Sequence, residues 1–416
     1  MSNFVGYRCS KCGSEFGPHD VTYLCPNDGA VLDVILDFGS IKKTTGPRDI
    51  QISQDFSIWR YLPLLPVGDP GHLGTPLRSV GWTPVYSPPQ LAKSLSLSKL
   101  WVKDESTNPT ASFKDRASAV LVARAQEIKA NVIVTASTGN AGAALAGMAA
   151  AAGARAVIFA PKKAPPAKVA QLLIFGASVY LVDGSYDDAV ELSRQAAEAF
   201  GWYCRNTGYN PFTAEGKKTA ALEIWEQVLS TQSSEQPLSV FVSVGDGNII
   251  SGIHKGFKDL MALGWIDQVP RIFGVQAEGS AAIANAFETG TEEIGPVQAH
   301  TIADSISVDL PSDGLRALRA ARETGGAYIK VSDESILSAI SVLGRYGIFA
   351  EPAGAAAFAG LRKALESGLI TEGNPVLVLN TGSGLKDVAA ARKAAGEAPV
   401  IEPTLAALKR ALEVEH

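Results

Sequence analysis

The sequence predicts an α/β protein with two units built on parallel sheets and a small ribbon ahead of them. Three observations carry this expectation. Between residues 132 and 205 short β-branched runs alternate with helical ones, the order that gives parallel strands with right-handed crossovers. From residue 216 the alternation resumes with longer pieces. Three of the 4 cysteines fall within the first 25 residues, apart from everything else. The 416 residues leave room for two or three domains and a large core. The expected spans are 1–36 for the ribbon, 132–208 for a small mobile α/β domain, and 37–131 with 209–416 for a large one.

The balance of charge narrows the partners. With 37 basic and 42 acidic residues the net charge is −5, which argues against nucleic acid and gives no support for a membrane surface. The longest apolar runs, such as Ala141–Ala152, are too short to span a bilayer. No basic segment followed by an apolar one opens the chain, so no export signal is expected. Reduced thiols and a cytoplasmic setting follow as the default.

Taken in order, the ribbon comes first. Cys9 and Cys12 form a C-x-x-C knuckle, and Cys25-Pro-Asn-Asp28 looks like a second. A zinc ribbon closes four tetrahedral ligands, here Cys9, Cys12, Cys25 and Asp28, with His19 nearby. The other reading is a metal-free ribbon held by Phe4, Tyr7, Phe16, Tyr23 and Leu24. Either way the segment is structural, because no open coordination position has a base beside it. Residues 37–110 then connect. Trp59–Pro66 reads as a short helix ended by prolines, and Leu100–Glu105 as a strand.

Asn108–Arg116 follows that strand and contains Phe113, Lys114 and Asp115. Asn-Pro marks a turn, and Ser112 is the expected N-cap of the helix beyond it. Lys114 then lies in a first helical turn beside Phe113, where desolvation lowers an amine's pKa. Such an amine can form a Schiff base with an aldehyde cofactor. Taken alone, a solvated surface lysine is the commoner case.

Next come the strands Val132–Thr135, Ala156–Phe159, Val179–Val182 and Trp202–Cys204, alternating with the helices Ala141–Ala152, Ala167–Phe175 and Tyr186–Phe200. Further on the clearest strands are Leu238–Val244, Ile272–Gln276 and Val376–Leu379. Thr231–Gln236 is the most linker-like stretch, and Leu405–Val414 is the last helix.

Three turns at strand ends carry candidate chemistry. Ser137-Thr138-Gly139-Asn140 opens an Ala-rich helix, where small residues and first-turn N–H groups suit a carboxylate. Gly245-Asp246-Gly247-Asn248-Ile249 follows an apolar strand, and its glycines free N–H groups to nest a phosphate. It is neither G-x-G-x-x-G nor a Walker motif, which disfavours dinucleotides and ATP. The Leu379–Asp387 stretch sits at a third strand end, where Thr381 or Ser383 could meet a heterocyclic nitrogen.

With the lysine stretch, these turns resemble the fold-type II pyridoxal-phosphate enzymes, and specifically the threonine synthase family. The resemblance covers roughly residues 75–390. It implies a tryptophan synthase β-like fold, with the large domain binding pyridoxal 5'-phosphate and Lys114 as the Schiff-base lysine, flanked by Phe113. It implies Asn140 at the ring hydroxyl, Gly245, Asp246, Gly247, Asn248 and Ile249 around the phosphate, and Thr381 at the pyridine nitrogen. Ser137, Thr138 and Gly139 would receive the carboxylate of a small amino-acid substrate. A homodimer is the family expectation, and an N-terminal ribbon occurs among relatives.

One departure bears on the substrate. Threonine synthases grip the phosphate of O-phosphohomoserine with a hydroxyl just after the Ser-x-Gly-Asn turn and an arginine in Asn-Pro-x-Arg-x-Glu-Gly. Here those positions are Ala141 and Thr213, with Lys217 and Lys218 nearby. Two readings stay open. One is a threonine synthase-like lyase that releases phosphate. The other is a β-eliminating or β-replacing relative, an ammonia-lyase, dehydratase or cysteate-synthase-like enzyme, acting on a hydroxy-, phospho- or amino-substituted amino acid. Thr301–Ser305 resembles a stretch of the dehydratases. A third, non-enzymatic reading is disfavoured by Lys114, Asn140 and Thr381 together. Glu351 reads as an N-cap for helix Ala353–Ala364 rather than a site residue, and His254, His300 and Cys204 read as structural.

Overall fold

Three sheets order the chain in a computed structural model that describes residues 3–231 and 236–414. Strands β1 (Phe4–Cys9), β2 (Glu15–Phe16) and β3 (Leu32–Leu36) form an antiparallel ribbon in the order β2-β1-β3. Strand β3 alternates buried and half-buried residues, as one packed face requires.

The large sheet is built from β4 (Val85–Tyr86), β5 (Leu100–Asp104), β10 (Ser239–Ser243), β11 (Arg271–Ala277), β12 (Tyr328–Val331) and β13 (Val376–Asn380). Its order is β12-β11-β10-β13-β5-β4. The small sheet holds β6 (Val132–Ala136), β7 (Arg155–Pro161), β8 (Ser178–Val182) and β9 (Tyr203–Cys204), ordered β8-β7-β6-β9. All pairs of the small sheet are parallel, as expected. The large sheet departs at one edge, where β4 runs antiparallel to β5. Only Val85 and Tyr86 pair there, opposite Lys103 and Val102, and helix Pro89–Ser94 fills the connection between the two strands.

Burial explains the strand sequences. Every residue of β6, β10 and β13 is buried, so these strands read as continuous apolar runs. Phe241 and Phe273 stack across β10 and β11 with ring centroids 4.7 Å apart. The helix Asn140–Ala151 is nearly all alanine and glycine for a steric reason. A Cβ on Gly147 would lie 2.5 Å from Cγ2 of Thr110, so a side chain there would push the small sheet off the lysine stretch. Among the described residues no helix is long and apolar enough to cross a membrane. Of the linker-like stretch Thr231–Gln236, residues 232–235 lie outside the described residues.

Candidate active site

Four strand ends converge around Lys114: Phe113 bonds to Thr381, Asn140 bonds to Glu351, and the charges of Glu351 and Asp246 act on the lysine. Helix Lys114–Glu127 begins with Lys114 itself, and Phe113, fully buried, is the residue before it. The expected cap fails here. Ser112 pairs as an isolated bridge with Gly382, Phe113 already has helical φ and ψ, and the Ser112 hydroxyl is buried without a partner. The stretch is held by backbone instead: Phe113 N donates to Thr381 O at 2.9 Å, and Ser383 N donates to Ala111 O at 3.1 Å. Asp115 accepts from Thr110 N at 2.6 Å, which closes the turn ahead of the lysine.

The floor under Lys114 is a buried ion network. Arg116 pairs with Glu105 at 2.7 Å and with Glu223 at 2.5 Å, and Lys103 reaches Glu223 at 2.7 Å, all four side chains being inaccessible. Burial alone would raise the Glu223 pKa, but Arg116 and Lys103 hold it down to about 2. Because each charge is matched, the network fixes the helix without leaving an orphan charge.

Lys114 is half-buried, and among the described residues its amine has no hydrogen-bond partner. Burial first, then the nearby Arg205 cation, lowers its pKa to about 8, against the pull of Glu351 and Asp246. An amine in that range is partly free at neutral pH and can act as nucleophile and base.

Asn140 starts helix Asn140–Ala151, after Gly139. Its Nδ2 donates to Glu351 Oε1 at 2.7 Å and to Ser305 Oγ at 3.4 Å. Ser137, Thr138 and Gly139 are half-buried at the same edge. Glu351 corrects the sequence reading. It does precede the helix Pro352–Glu366, yet its carboxylate makes no capping bond and turns to Asn140. Burial raises its pKa, and the charge of Lys114 opposes that rise. The reason is steric as well as electrostatic, since a Cβ on Gly382 would meet Glu351 Oε1 at 2.3 Å.

The glycine turn forms the third wall. Gly247 has φ +92°, and a Cβ there would lie 2.6 Å from Asp313 O. A Cβ on Gly245 would lie 2.7 Å from Ile306 Cα. Among the described residues, N–H groups of Gly245, Asp246 and Gly247 donate to no protein acceptor, while Ser251 N closes onto Gly247 O at 3.1 Å. A turn with bare N–H groups at the start of the 16-residue helix Asn248–Leu263 has the form that suits a phosphate. Asp246 is held from outside by Ser312 N at 2.8 Å and Ser312 Oγ at 2.6 Å. Asn248 Nδ2 donates to Asp313 Oδ2 at 2.7 Å, Asp313 is gripped by Arg316, and Arg316 reaches the ribbon through Asp33 at 2.6 Å. Thr381, just past β13, is buried and its hydroxyl has no partner among the described residues. These features fit a ligand carrying a phosphate, a ring nitrogen and a carbonyl that an amine can attack.

Position 213 is confirmed as threonine by its surroundings: it is buried, and its hydroxyl donates to Asn210 O at 2.8 Å and Asn248 Oδ1 at 3.2 Å. Lys217 and Lys218 are not surface lysines, both being fully buried. Lys218 is tied to Asp259 at 2.8 Å and to Glu215 at 2.5 Å. Among the described residues Lys217 has only Asn248 Oδ1, at 2.6 Å. Sequence reasoning also missed Arg205, whose signal is a charge placed directly after an apolar strand. His254 is buried and its pKa is lowered to about 4, first by burial and then by Lys258, which fits a structural role. In the ribbon, ligand atoms of Cys9, Cys12, Cys25 and Asp28 lie within 4.8 Å of one another, while His19 is exposed outside the group.

The family model described as pyridoxal-phosphate dependent enzyme matches residues 77–382. The threonine synthase of Methanocaldococcus jannaschii is 38% identical over 409 residues, 98% of this chain and 99% of that one. The threonine synthase of Methanosarcina acetivorans is 38% identical, over 97% of this chain and 98% of its own. Among solved structures, the processed threonine deaminase isoform 2 of Solanum lycopersicum is similar with TM-score 0.66 and 22% identity, covering 82% of this chain and 88% of that one. A diaminopropionate ammonia lyase from Escherichia coli gives TM-score 0.65 at 24% identity, covering 76% and 87%.

Proposed function

Because this chain belongs to the pyridoxal-phosphate-dependent enzymes, among the relatives of threonine synthase, we propose that it converts O-phosphohomoserine and water to threonine and phosphate. The observation that carries the reading is the unpartnered Lys114 amine, poised with a pKa of about 8 at the meeting point of the other three strand-end turns. Lys114 would hold the cofactor, with the N–H groups of 245–249 on its phosphate, Asn140 and Thr381 at its ring, and Phe113 beneath. When bound, pyridoxal phosphate supplies an electron sink for negative charge at the substrate α-carbon.

The rest of the chemistry belongs to the protein. Ser137, Thr138 and the N–H groups opening helix Asn140–Ala151 orient the substrate carboxylate. Lys114 Nζ takes the α-proton, passes it on and so returns to the free amine, and then takes a proton from the β-carbon, so one base serves successive steps. Glu351 holds Asn140 in place from a group whose own pKa is raised by burial. A hydroxyl from Thr381, unlike a carboxylate, does not drive protonation of a ring nitrogen. That moderates carbanion stabilisation and suits elimination and replacement along the side chain better than transamination.

A second reading, β-elimination or β-replacement on a smaller amino acid, is favoured by one observation, the threonine at position 213 in place of an arginine clamp. Holoenzyme mixed with O-phosphohomoserine distinguishes the two. Threonine and stoichiometric phosphate support the first. Ammonia and a keto acid from serine, threonine or diaminopropionate, with no phosphate release, support the second. We further propose that Cys9, Cys12, Cys25 and Asp28 hold one zinc ion, closing the ribbon without taking part in the reaction.

A further inference from the structure

Four arginines are buried among the described residues: Arg60, Arg116, Arg205 and Arg316. Three of them meet a carboxylate, Arg60 with Glu226, Arg116 with Glu105 and Glu223, and Arg316 with Asp313 and Asp33. Arg205 meets none. Its Nη1 donates to Thr207 Oγ1 at 2.7 Å and its Nε to Ser118 Oγ at 3.4 Å, both neutral. Its Nη2 is buried with no partner among the described residues. The buried lysines divide in the same way. Lys103 and Lys218 pair with carboxylates, whereas Lys217 touches only an amide oxygen.

Both exceptions lie within electrostatic reach of Lys114. Arg205 directly follows β9, its N–H bonded to Val134 O at 2.8 Å. Ser118 lies four residues beyond Lys114, hence on the same face of that helix, so the guanidinium lies along the lysine's side. Lys217 lies four residues beyond Thr213 and shares its acceptor, Asn248 Oδ1. Burial comes first among the causes that lower the pKa of both cations, Arg205 to about 10 and Lys217 well below its ordinary range, and Lys114 and Arg205 add repulsion at Lys217. Asp246 is the acid they share, and it is already engaged by Ser312. A buried cation with no counter-charge is costly, and an anion delivered by a ligand relieves that cost.

We propose that Arg205, with Lys217, forms the receptor for a second anionic group on the substrate, the phosphate of an O-phospho amino acid, in place of a clamp at position 213. The inference rests on the threonine synthase-like reading for the presence of a cofactor and an amino-acid substrate in this cleft. A guanidinium fork with a free edge suits phosphate oxygens, and the ammonium adds a point charge. The guanidinium is shifted from position 213 to the end of β9, Lys217 adds its charge from the helix Phe212–Lys217, and Thr213 is left to position Asn248.

The test is binding, not turnover. Holoenzyme is titrated calorimetrically with O-phospho-L-homoserine, L-homoserine and inorganic phosphate, for the natural protein, Arg205→Gln, Arg205→Lys and Lys217→Gln. Arg205→Gln is expected to weaken O-phospho-L-homoserine by roughly 30-fold or more and L-homoserine by less than about threefold, with partial recovery in Arg205→Lys. Inorganic phosphate binding should fall in the same variants. Equal loss for both amino acids would assign Arg205 to the α-carboxylate or to structure, and overturn the proposal. So would unchanged affinities, or loss of pyridoxal phosphate with phosphate discrimination intact. If Arg205→Gln does not fold, Arg205→Lys and Lys217→Gln still decide: unaltered discrimination in both overturns it. Failure to make threonine would remove the reading above while leaving this binding result standing on its own.

Discussion

Asn140 Nδ2 donates to Glu351 Oε1 at 2.7 Å, joining the first residue of a small-sheet helix to the residue that precedes a large-sheet helix. A charge-assisted bond of this kind contributes roughly 1.5–3 kcal/mol. Glu351 also favours the charged form of Lys114. Removing that carboxylate in Glu351→Gln should therefore lower the Lys114 pKa further below about 8. The free amine captures cofactor, so the rate at which apoprotein takes up pyridoxal phosphate should rise with pH through that value and level off above it. In Glu351→Gln the rise should occur at lower pH. A midpoint that stays put, or moves up, contradicts the assignment.

Lys114→Ala should cost about 10³-fold or more in activity. Borohydride reduction of the natural holoenzyme, followed by peptide mapping, should place a covalent pyridoxyl label on residue 114 and nowhere else. Label on Lys217 would reassign the nucleophile.

Gly247→Ala tests the cradle. The residue must keep φ +92° and would push a Cβ to 2.6 Å from Asp313 O. Strain of about 1–3 kcal/mol is expected at such a position. Pyridoxal phosphate affinity, read by fluorescence titration, should fall by about tenfold or more, whereas an alanine at the exposed turn glycine Gly396 should leave it unchanged.

The network of Arg116, Glu105, Glu223 and Lys103 predicts both a mutational and an acid response. Glu223→Gln removes the counter-charge shared by Arg116 and Lys103 and should cost about 3–5 kcal/mol in urea unfolding. For pH, the folded pKa of Glu223 is depressed from 4.5 to about 2. The group therefore binds fewer protons folded than unfolded across that interval. Its stabilisation is complete above about 4.5 and is lost as pH falls towards 2. The Glu223→Gln protein should show a flatter loss of stability across that window.

Zinc in the ribbon predicts one equivalent of metal per chain by elemental analysis. Chelation, or Cys25→Ser, should lower Tm without altering the spectrum of bound cofactor. A chain purified metal-free with unchanged Tm would leave the ribbon held by its aromatic residues, such as Phe4 edge-on to Tyr7 and Phe212.

Much of this was legible because the chemistry is local in sequence. Strand-to-turn-to-helix junctions at 136–140, 243–248 and 380–384 announce themselves by small residues after apolar runs, and the structure places all of them at strand ends. Pairings between distant segments left no such trace. Glu351 looked like a cap because Glu before Pro-Ala-Gly is a common helix start, and only the approach of Asn140, 211 residues away in sequence, shows its other use. Ser112 failed as a cap because its backbone is claimed by Gly382. Lys217 and Lys218 are buried because their helix packs on its neighbours through Gly216 and Gly252, where a Cβ would collide with Arg116 O or with Lys217 Cβ itself, a closeness that no local pattern announces. The antiparallel edge β4 is too short to carry a periodic pattern.

The line from Asp33 through Arg316, Asp313 and Asn248 means that the N-terminal ribbon is wired into the glycine turn rather than hung from it. A shortened protein that begins after residue 36 would leave one arm of Arg316 grasping nothing, and Asp313 would lose its steady aim. The ribbon thus behaves as a keystone for the glycine turn beneath it.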